Sequence, residues 1–489
     1  MRLKKPAAWL VAISLVFGLT SNIPFKANAT ELDKCRIAAS KSSTVSLGFP
    51  VPDQRLKGDP KILIIPFKLK DTPYVFTDKE KMAAIEGAKI IQKISSNKSN
   101  PVILFAPLQE LDLVKKNLVD IKINQQNGYQ KQDEANSTWG FIRRVINEAD
   151  ISVDFKDIDA VIVQGPTSTD SDWVSKSAIA EAMMFSKDGR DPFFRPINTA
   201  EGTIYNASLI TTAYLESSTT YAHEIMHLYG LTDLYGSGTS PTFFSLMAGQ
   251  NHRLLAHEKW VLGWLPDSQV VCLNGVSSSD LLTQVTEIKF KNDNSDQLVV
   301  INQNKTDEAI IIEKVSFINE QTKGTDSYLA FYNLKNEDRP PIEMIPVSGV
   351  TFNVLTHYNG APSTRFIGSV LKSLNYDLLI SNVDTQGISL HLIPKSQSDK
   401  LASLQSTALN VQREAEAKVQ AEVESKAKEL AEAEAKAKAK LEAEARVKSE
   451  AEAKAKVAPK IKSISCVKGK TTRTVKSLNP KCPKGFKQR

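Results

Sequence analysis

The sequence predicts a mixed α/β region, then a small all-β region, a long charged helix and a short tail bounded by cysteines. Three observations carry that prediction. Buried strand and helix patterns alternate from Lys61 onward, short strands separated by turn residues follow Cys272, and residues 411–457 are a run of Ala, Glu and Lys. With 41% hydrophobic and 7% aromatic residues over 489 positions, part of the chain builds no core.

The N-terminal 29 residues read as an export signal. Arg2, Lys4 and Lys5 give a positive start, residues 7–20 an apolar stretch, and Ala27-Asn28-Ala29 a small-x-small cleavage site, with cleavage expected after Ala29. The apolar run is short for a membrane span of about 20 residues. The product is therefore expected to be secreted or held at the cell surface. In an exported chain, Cys35, Cys272, Cys466 and Cys482 suggest two disulfides. Cys466 and Cys482 bracket one short tail, which leaves Cys35 and Cys272 to pair by elimination.

Along the body, residues 62–67 (Ile-Leu-Ile-Ile-Pro-Phe) predict a buried strand and residues 79–95 a helix. Residues 101–105 and 159–163 are further short apolar runs, and residues 203–210 alternate well enough for an edge strand. A helix follows over 217–229, capped by Ser217, Ser218 or Thr219. After Cys272, strands are expected at 286–290, 297–302, 309–313, 328–332, 350–354, 376–380 and 388–393, the pattern of a separate small β-sandwich or barrel. In residues 411–457, nine acids have a base four positions on, the pairing that supports a solvated helix. Its larger residues (Val411, Val419, Val423, Leu430, Leu441, Val447) keep no heptad spacing, which argues against a strong coiled coil and for a single-helix spacer. A disordered charged linker is the other reading. The expected organisation is a signal at 1–29, the α/β region at 30–275, the β domain at 276–396, the helical spacer at 397–460 and the tail at 461–489.

The net charge of +7 is unevenly spread. Residues 1–29 carry +4, residues 411–457 balance eleven acids with eleven bases, and residues 458–489 carry ten bases and no acid. Residues 30–410 are left at −7. No nucleic-acid partner is expected, because its footprint would make the folded body basic. The tail could instead associate with an anionic cell envelope.

The chemistry is concentrated in His223-Glu224-Ile225-Met226-His227-Leu228-Tyr229-Gly230-Leu231-Thr232-Asp233. Two His four apart project from one helix face and can share one zinc ion, and Glu224 sits where its carboxylate can take a proton from water. Gly230 can end the helix in a left-handed turn that swings Asp233 back toward the metal. Two other runs, Asp170-Ser171-Asp172 and Asp293-Asn294-Ser295-Asp296, offer oxygen ligands to calcium, though neither follows the twelve-residue loop pattern.

The segment HEIMHLYGLTDLYG resembles the extended zinc signature of the immune inhibitor A family of secreted bacterial metallopeptidases. The likeness continues through Ser245-Leu246-Met247-Ala248 and through Ala256-His257-Glu258-Lys259-Trp260-Val261-Leu262-Gly263-Trp264-Leu265, and begins with Ser46-Leu47-Gly48-Phe49-Pro50, so it spans roughly residues 35–272. It implies a zincin-type α/β fold split by a substrate cleft, one catalytic zinc, and Met247 in a turn under the metal as packing. No long propeptide separates the signal from this region. Asp233 matches the third ligand of the motif, while a zincin of the other type would use a later Glu, for which Glu258 is available. His252 and His257 could bind substrate or stabilise the oxyanion, a polar surface role being the favoured reading for each, and Tyr229 and Tyr235 read as packing. The expectation is a monomeric zinc endopeptidase acting on extracellular proteins. The rival is a cell-surface binding protein on the same scaffold, against which stands the intact set of His223, Glu224 and His227.

Overall fold

The computed structural model describes residues 21–22, 32–39, 46–49, 55–126, 137–166, 180–184, 196–211, 214–235, 244–249, 252–274, 285–293, 295–302, 307–318, 325–336, 341–345, 353–358, 361–372, 376–457 and 459–489. Most of the expected signal, the Asp170-Ser171-Asp172 run and the expected boundary at 275/276 lie outside the described residues. The chain divides into two compact units, residues 1–412 and 413–489.

After a two-residue strand β1 (Ser21–Asn22), the α/β part is built on β2 (Lys61–Leu69), β3 (Val102–Phe105), β4 (Gln109–Leu111), β5 (Ala160–Gln164), β6 (Ala180–Met184) and β9 (Asn206–Ile210). Their order is β3-β2-β5-β9-β6, with β4 also on β2. All neighbours run parallel except β6, which lies antiparallel on β9. A small antiparallel pair, β7 (Ile197–Asn198) and β8 (Thr203–Ile204), precedes β9. The helices are α1 (Asp78–Ile94), α2 (Lys115–Gln126), α3 (Thr138–Ala149), α4 (Ser218–Leu228) and α5 (Ala256–Val261). α1 starts where the sequence says it should, because Thr77 and Glu80 form a reciprocal capping box.

The edge strand expected at 203–210 is not what forms. The chain breaks at Tyr205 into β8 and β9, and β9 is interior, with all five residues buried. Its polar residues are taken into the sheet. The Asn206 side-chain amide, for example, donates to the Asp159 carbonyl at 3.3 Å. The edge is β6.

Two stacked sheets make the all-β part. One joins β10 (Val270–Asn274), β12 (Gln297–Asn302), β13 (Glu308–Ile318), β14 (Thr325–Lys335), β16 (Asn353–Tyr358) and β17 (Ala361–Pro362), with β15 (Ile342–Met344) also on β14. The other runs β1, β11 (Thr286–Lys291), β20 (Gly387–Pro394), β19 (Tyr376–Asp384) and β18 (Val370–Lys372). In β12 the residues alternate between two cores. Leu298 and Val300 join the core of Ile62, Ile64, Ile225, Met247 and Trp260, whereas Val299 and Ile301 join Phe331, Ile380 and Leu390 between the sheets. A sheet buried on both faces reads as a continuous apolar run, which is how Leu298-Val299-Val300-Ile301 appears in sequence. The β part shares a core with the α/β part, and both lie in one compact unit.

Polar contacts tie the two parts together. Glu313 of β13 is fully buried and accepts from the His257 backbone N–H (3.2 Å), in the first turn of α5, and from the Tyr332 hydroxyl (3.1 Å). Burial pushes its carboxyl up to about 8. His257 is also fully buried, contrary to the surface role open to it in sequence. Its ring nitrogen Nε2 meets the Leu47 carbonyl at 2.8 Å, and burial lowers its pKa to about 4. It pins the 46–49 segment against α5.

In the Asp293–Asp296 run, of which Asn294 lies outside the described residues, lysines meet the oxygens offered to a cation. The ammonium of Lys314, whose side chain is fully buried, donates to the Asp293 and Ser295 carbonyls and lies 3.5 Å from the Asp293 carboxylate. The carboxylate of Asp296 pairs with Lys259. A lysine already serves the oxygens that a cation would need.

The last helix, α6 (Asp399–Val457), runs unbroken for 59 residues. Its first turns pack on the β part: Ala408 is buried, and Gln405 Nε2 donates to the Gly368 carbonyl at 2.9 Å. Beyond residue 413 its apolar side chains, Val419 to Val447, are exposed, and the expected Glu422–Lys426 pair forms at 2.6 Å. Among the described residues, no helix is long and apolar enough to cross a membrane. The tail folds as an antiparallel sheet, β22 (Thr471–Ser477), β21 (Lys462–Lys468) and β23 (Lys487–Gln488), stapled by Cys466–Cys482. Cys35 and Cys272 form the other disulfide.

Candidate metal centre

Helix α4 carries the motif and is held from both sides. Gly87 of α1 allows the close approach of α4. A Cβ added there would lie 2.8 Å from the Tyr221 Cβ and 2.9 Å from the Ser218 carbonyl oxygen. The buried Tyr221 hydroxyl donates to Gln164 Oε1 at 2.7 Å, and Gln164 Nε2 donates to the Tyr74 hydroxyl at 2.9 Å, locking α4 to β5.

At its C-terminus α4 ends in a Schellman turn. Gly230 N–H donates to the His227 carbonyl (2.9 Å) and Leu231 N–H to the Met226 carbonyl (3.2 Å), with Gly230 at φ 99°. Glycine takes this left-handed conformation without a Cβ clash. The turn reverses the chain and returns Asp233 to the face that holds the two histidines.

There the structure brings three groups together. Asp233 Oδ1 lies 3.1 Å from His223 Nε2 and 3.2 Å from His227 Nε2, and one ligand atom from each residue falls within 4.8 Å of the others. This group could hold a metal ion. The other ring nitrogens face backbone carbonyls, His223 Nδ1 that of Leu246 (3.0 Å) and His227 Nδ1 that of Leu231 (2.8 Å). With Nδ1 protonated and donating to those carbonyls, each Nε2 presents its lone pair to a common point, as a metal requires. Burial alone would lower the His227 pKa, but the hydrogen bond and charge of Asp233 outweigh it and lift it to about 9. Burial opposes ionisation of Asp233 as well, yet both histidines hold its carboxyl far below the usual range. Side-chain exposure is 14% for His223 and 11% for His227 but 41% for Asp233, so the site opens to solvent on the Asp233 side.

The Met247 turn lies beneath the histidines. Ser245 Oγ accepts from Met247 N–H (3.0 Å), and the turn supplies the Leu246 carbonyl that orients His223. Met247 itself is fully buried in the same core as Ile225 and Met226, and its carbonyl accepts from Leu234 N–H at 2.9 Å, next to Asp233. Glu258 is not in the metal group. It is fully buried, and its carboxylate accepts from Ser245 Oγ (2.8 Å) and from Leu255 N–H (2.7 Å), supporting the turn from behind. Burial raises its pKa to about 7. Glu224 is buried at 4% exposure on the same helix as the histidines.

The flanking residues separate. Tyr229 is buried, and its hydroxyl shares a short hydrogen bond with Ser99, a packing role. His252 is on the surface, with Nε2 2.9 Å from Thr219 Oγ1. Tyr235, read as packing, is 53% exposed instead. Its ring stacks on His223 (centroids 5.9 Å apart, planes at 22°), and burial together with the nearby Asp233 carboxylate pushes its hydroxyl pKa up. Nothing in the spacing of a tyrosine two residues past an aspartate distinguishes these positions; only the turn geometry does.

A stripping series separates the ligand from its supports. A mild chelator is expected to remove a bound metal ion from Asp233→Ala first, whereas Tyr235→Phe, which loses the hydroxyl near Asp233, costs about 10–100-fold in affinity. Glu258→Ala should retain zinc better than Asp233→Ala; if it strips first, the third ligand is Glu258. No protein-family model matches this chain, and no curated protein matches it.

Proposed function

We propose that this chain is an exported zinc endopeptidase of the zincin type, similar to the immune inhibitor A family, that hydrolyses peptide bonds of extracellular proteins. The observation that carries the reading is the convergence of His223, His227 and Asp233 on one point, with Glu224 between the two histidines on α4. Two neutral imidazoles and a carboxylate form a donor set that suits zinc and leaves a coordination position open. Bound there, zinc would supply a Lewis acid that polarises a carbonyl and lowers the pKa of water toward about 7. The chain's own part falls to Glu224, which takes the proton from the attacking water and delivers it to the departing amine nitrogen. Tyr235 and the Leu246 and Leu231 carbonyls hold the ligands in register. An extended peptide would be bound by main-chain pairing on the terminal strand β6. Both disulfides support passage through an oxidising compartment.

The test is a gelatin or casein zymogram with and without a zinc chelator. A cleared band at the mass of the mature chain, lost with chelator and restored by zinc, is expected. A zinc-loaded chain with no band would make the site a scaffold.

A further inference from the structure

The tail unit has one face whose chemistry the peptidase reading does not use. Side chains alternate along a strand, and residues paired across an antiparallel ladder share a face. In this sheet Ser463 pairs with Lys476, Ser465 with Thr474, and Val467 with both Thr472 and Lys487. Arg489 continues the register, its N–H donating to the Ser465 carbonyl at 2.9 Å. Four hydroxyls and three cations therefore lie on one side, Lys476 beside Ser463, Lys487 beside Val467 and Arg489 by Ser465 between them. Cys466 points to the other side, and its bridge to Cys482 draws residues 478–486 across that side. There Arg473 lies over the Phe486 ring (6.0 Å) and the Lys468 side chain lies against Gly485. The disulfide segment packs on one face, where Cys466 is buried although Lys462, Lys468 and Arg473 remain exposed, while on the other face Lys476, Lys487 and Arg489 are exposed.

We infer that the open face of this sheet binds a polyanionic, hydroxyl-rich polymer, a sugar or polyol chain bearing phosphate or carboxylate groups. Charge complementarity points there, since residues 458–489 hold ten bases and no acid. The hydroxyls suit a hydrated partner that both donates and accepts hydrogen bonds. The face carries no aromatic ring. Phe486, the single aromatic residue after 457, sits under Arg473 on the covered side, so the open face offers neither a platform for stacking bases nor an aromatic anchor for a lipid interface. This binding is independent of hydrolysis, and it assigns a direction to the tail: the reading of net charge alone would let any side of it touch the envelope.

Two triple variants of the full chain, with equal loss of charge, test the assignment. One replaces Lys476, Lys487 and Arg489 by Ser; the other replaces Lys462 and Lys468 on the covered face, and Lys484 on the covering segment, by Ser. The probes are immobilised polyglycerol phosphate, polygalacturonate, uncharged dextran, anionic phospholipid vesicles and single-stranded DNA, each over a range of salt. Each cation at an anionic surface is worth about fivefold in affinity, so the open-face triple is expected to lose about a hundredfold on an anionic polymer. The control triple should lose much less, and wild-type binding should weaken with salt. Preference between phosphate and carboxylate polymers then identifies the anionic group. Equal losses in the two triples would reduce the effect to net charge and overturn the face assignment. Binding to dextran as tight as to either anionic polymer, or tighter binding to vesicles or DNA, would overturn the partner. Peptide mapping of the intact Cys466–Cys482 bridge confirms that each variant is folded, and a chain ending at Val457 should lose the binding while keeping hydrolysis of a small peptide.

Discussion

Glu224→Gln is expected to leave zinc bound while peptide hydrolysis falls at least about a hundredfold. The substitution keeps size and hydrogen-bonding capacity, so α4 and its packing should survive. What it removes is the ability to hold a proton taken from water. The ligands His223, His227 and Asp233 are untouched, and the Leu246 and Leu231 carbonyls that orient the two histidines do not involve Glu224. Metal content and turnover must be measured on the same sample, because an empty site would give the same loss of rate for another reason. A Gln variant that retains zinc and cleaves nearly as fast as wild type removes Glu224 from the mechanism. The buried position of the carboxylate matters to this expectation: at 4% exposure it is shielded from bulk water, where a general base contributes most.

The elements nearest to that site were the most legible in the sequence. The helix begins after Ser217, one of the expected caps, although its side chain makes no capping hydrogen bond, and the role of Gly230 is visible because only a reversal of the chain could return Asp233 to His223 and His227. What could not be read was which side of each residue faces what. His257 belongs to the same segment as Glu258, and both lie in a polar stretch, yet they are buried because Leu47, Ser245 and Glu313 arrive from distant parts of the chain to satisfy them. Asp293 looked like a cation ligand because the cation that meets it, Lys314, lies 21 positions away. Strand β9 looked like an edge because Asn206 and Ser208 are polar; its neighbour β6, formed by Ala180-Glu181-Ala182-Met183-Met184, has too little β-branched character to announce a strand. In each case a long-range partner overrides a local pattern.

The shared core has the same origin. A sandwich with one wet face would alternate apolar and polar residues, and β11 does so, with Thr286, Ile288 and Phe290 buried and Lys289 and Lys291 exposed. Strand β12 does not alternate, and that departure was the available sign that its sheet is covered twice, once by the second sheet and once by the α/β part.

Loss of the Cys35–Cys272 bridge, in the double variant with Ser at both positions, is expected to cost roughly 2–5 kcal/mol of stability. The two cysteines are separated by 237 residues, so the bridge closes a loop around the whole α/β part and removes much freedom from the unfolded chain. Its position explains why the metal centre should feel the loss. Cys272 lies in β10, paired with Val300 of β12, and Cys35 ends the short helical turn at Asp33–Cys35 that packs against both strands. From there the chain runs to Ile37, whose carbonyl accepts from Phe49 N–H at 2.7 Å, and to Ser46, whose N–H donates to the Gly230 carbonyl at 3.0 Å. Gly230 is the residue that turns Asp233 toward the histidines. Without the bridge, the 32–49 segment keeps its hydrogen bonds to Asn302 and Asn336 but loses its covalent attachment to the sheet. Denaturant unfolding under oxidising conditions should therefore show the stability loss, together with weaker zinc retention in the folded protein. Non-reducing peptide mapping of the wild type should recover the 35–272 and 466–482 pairs. A free Cys35 thiol would refute the pairing, and a double variant as stable as wild type would mean that the contacts of the segment, and not the bridge, hold Gly230 in place.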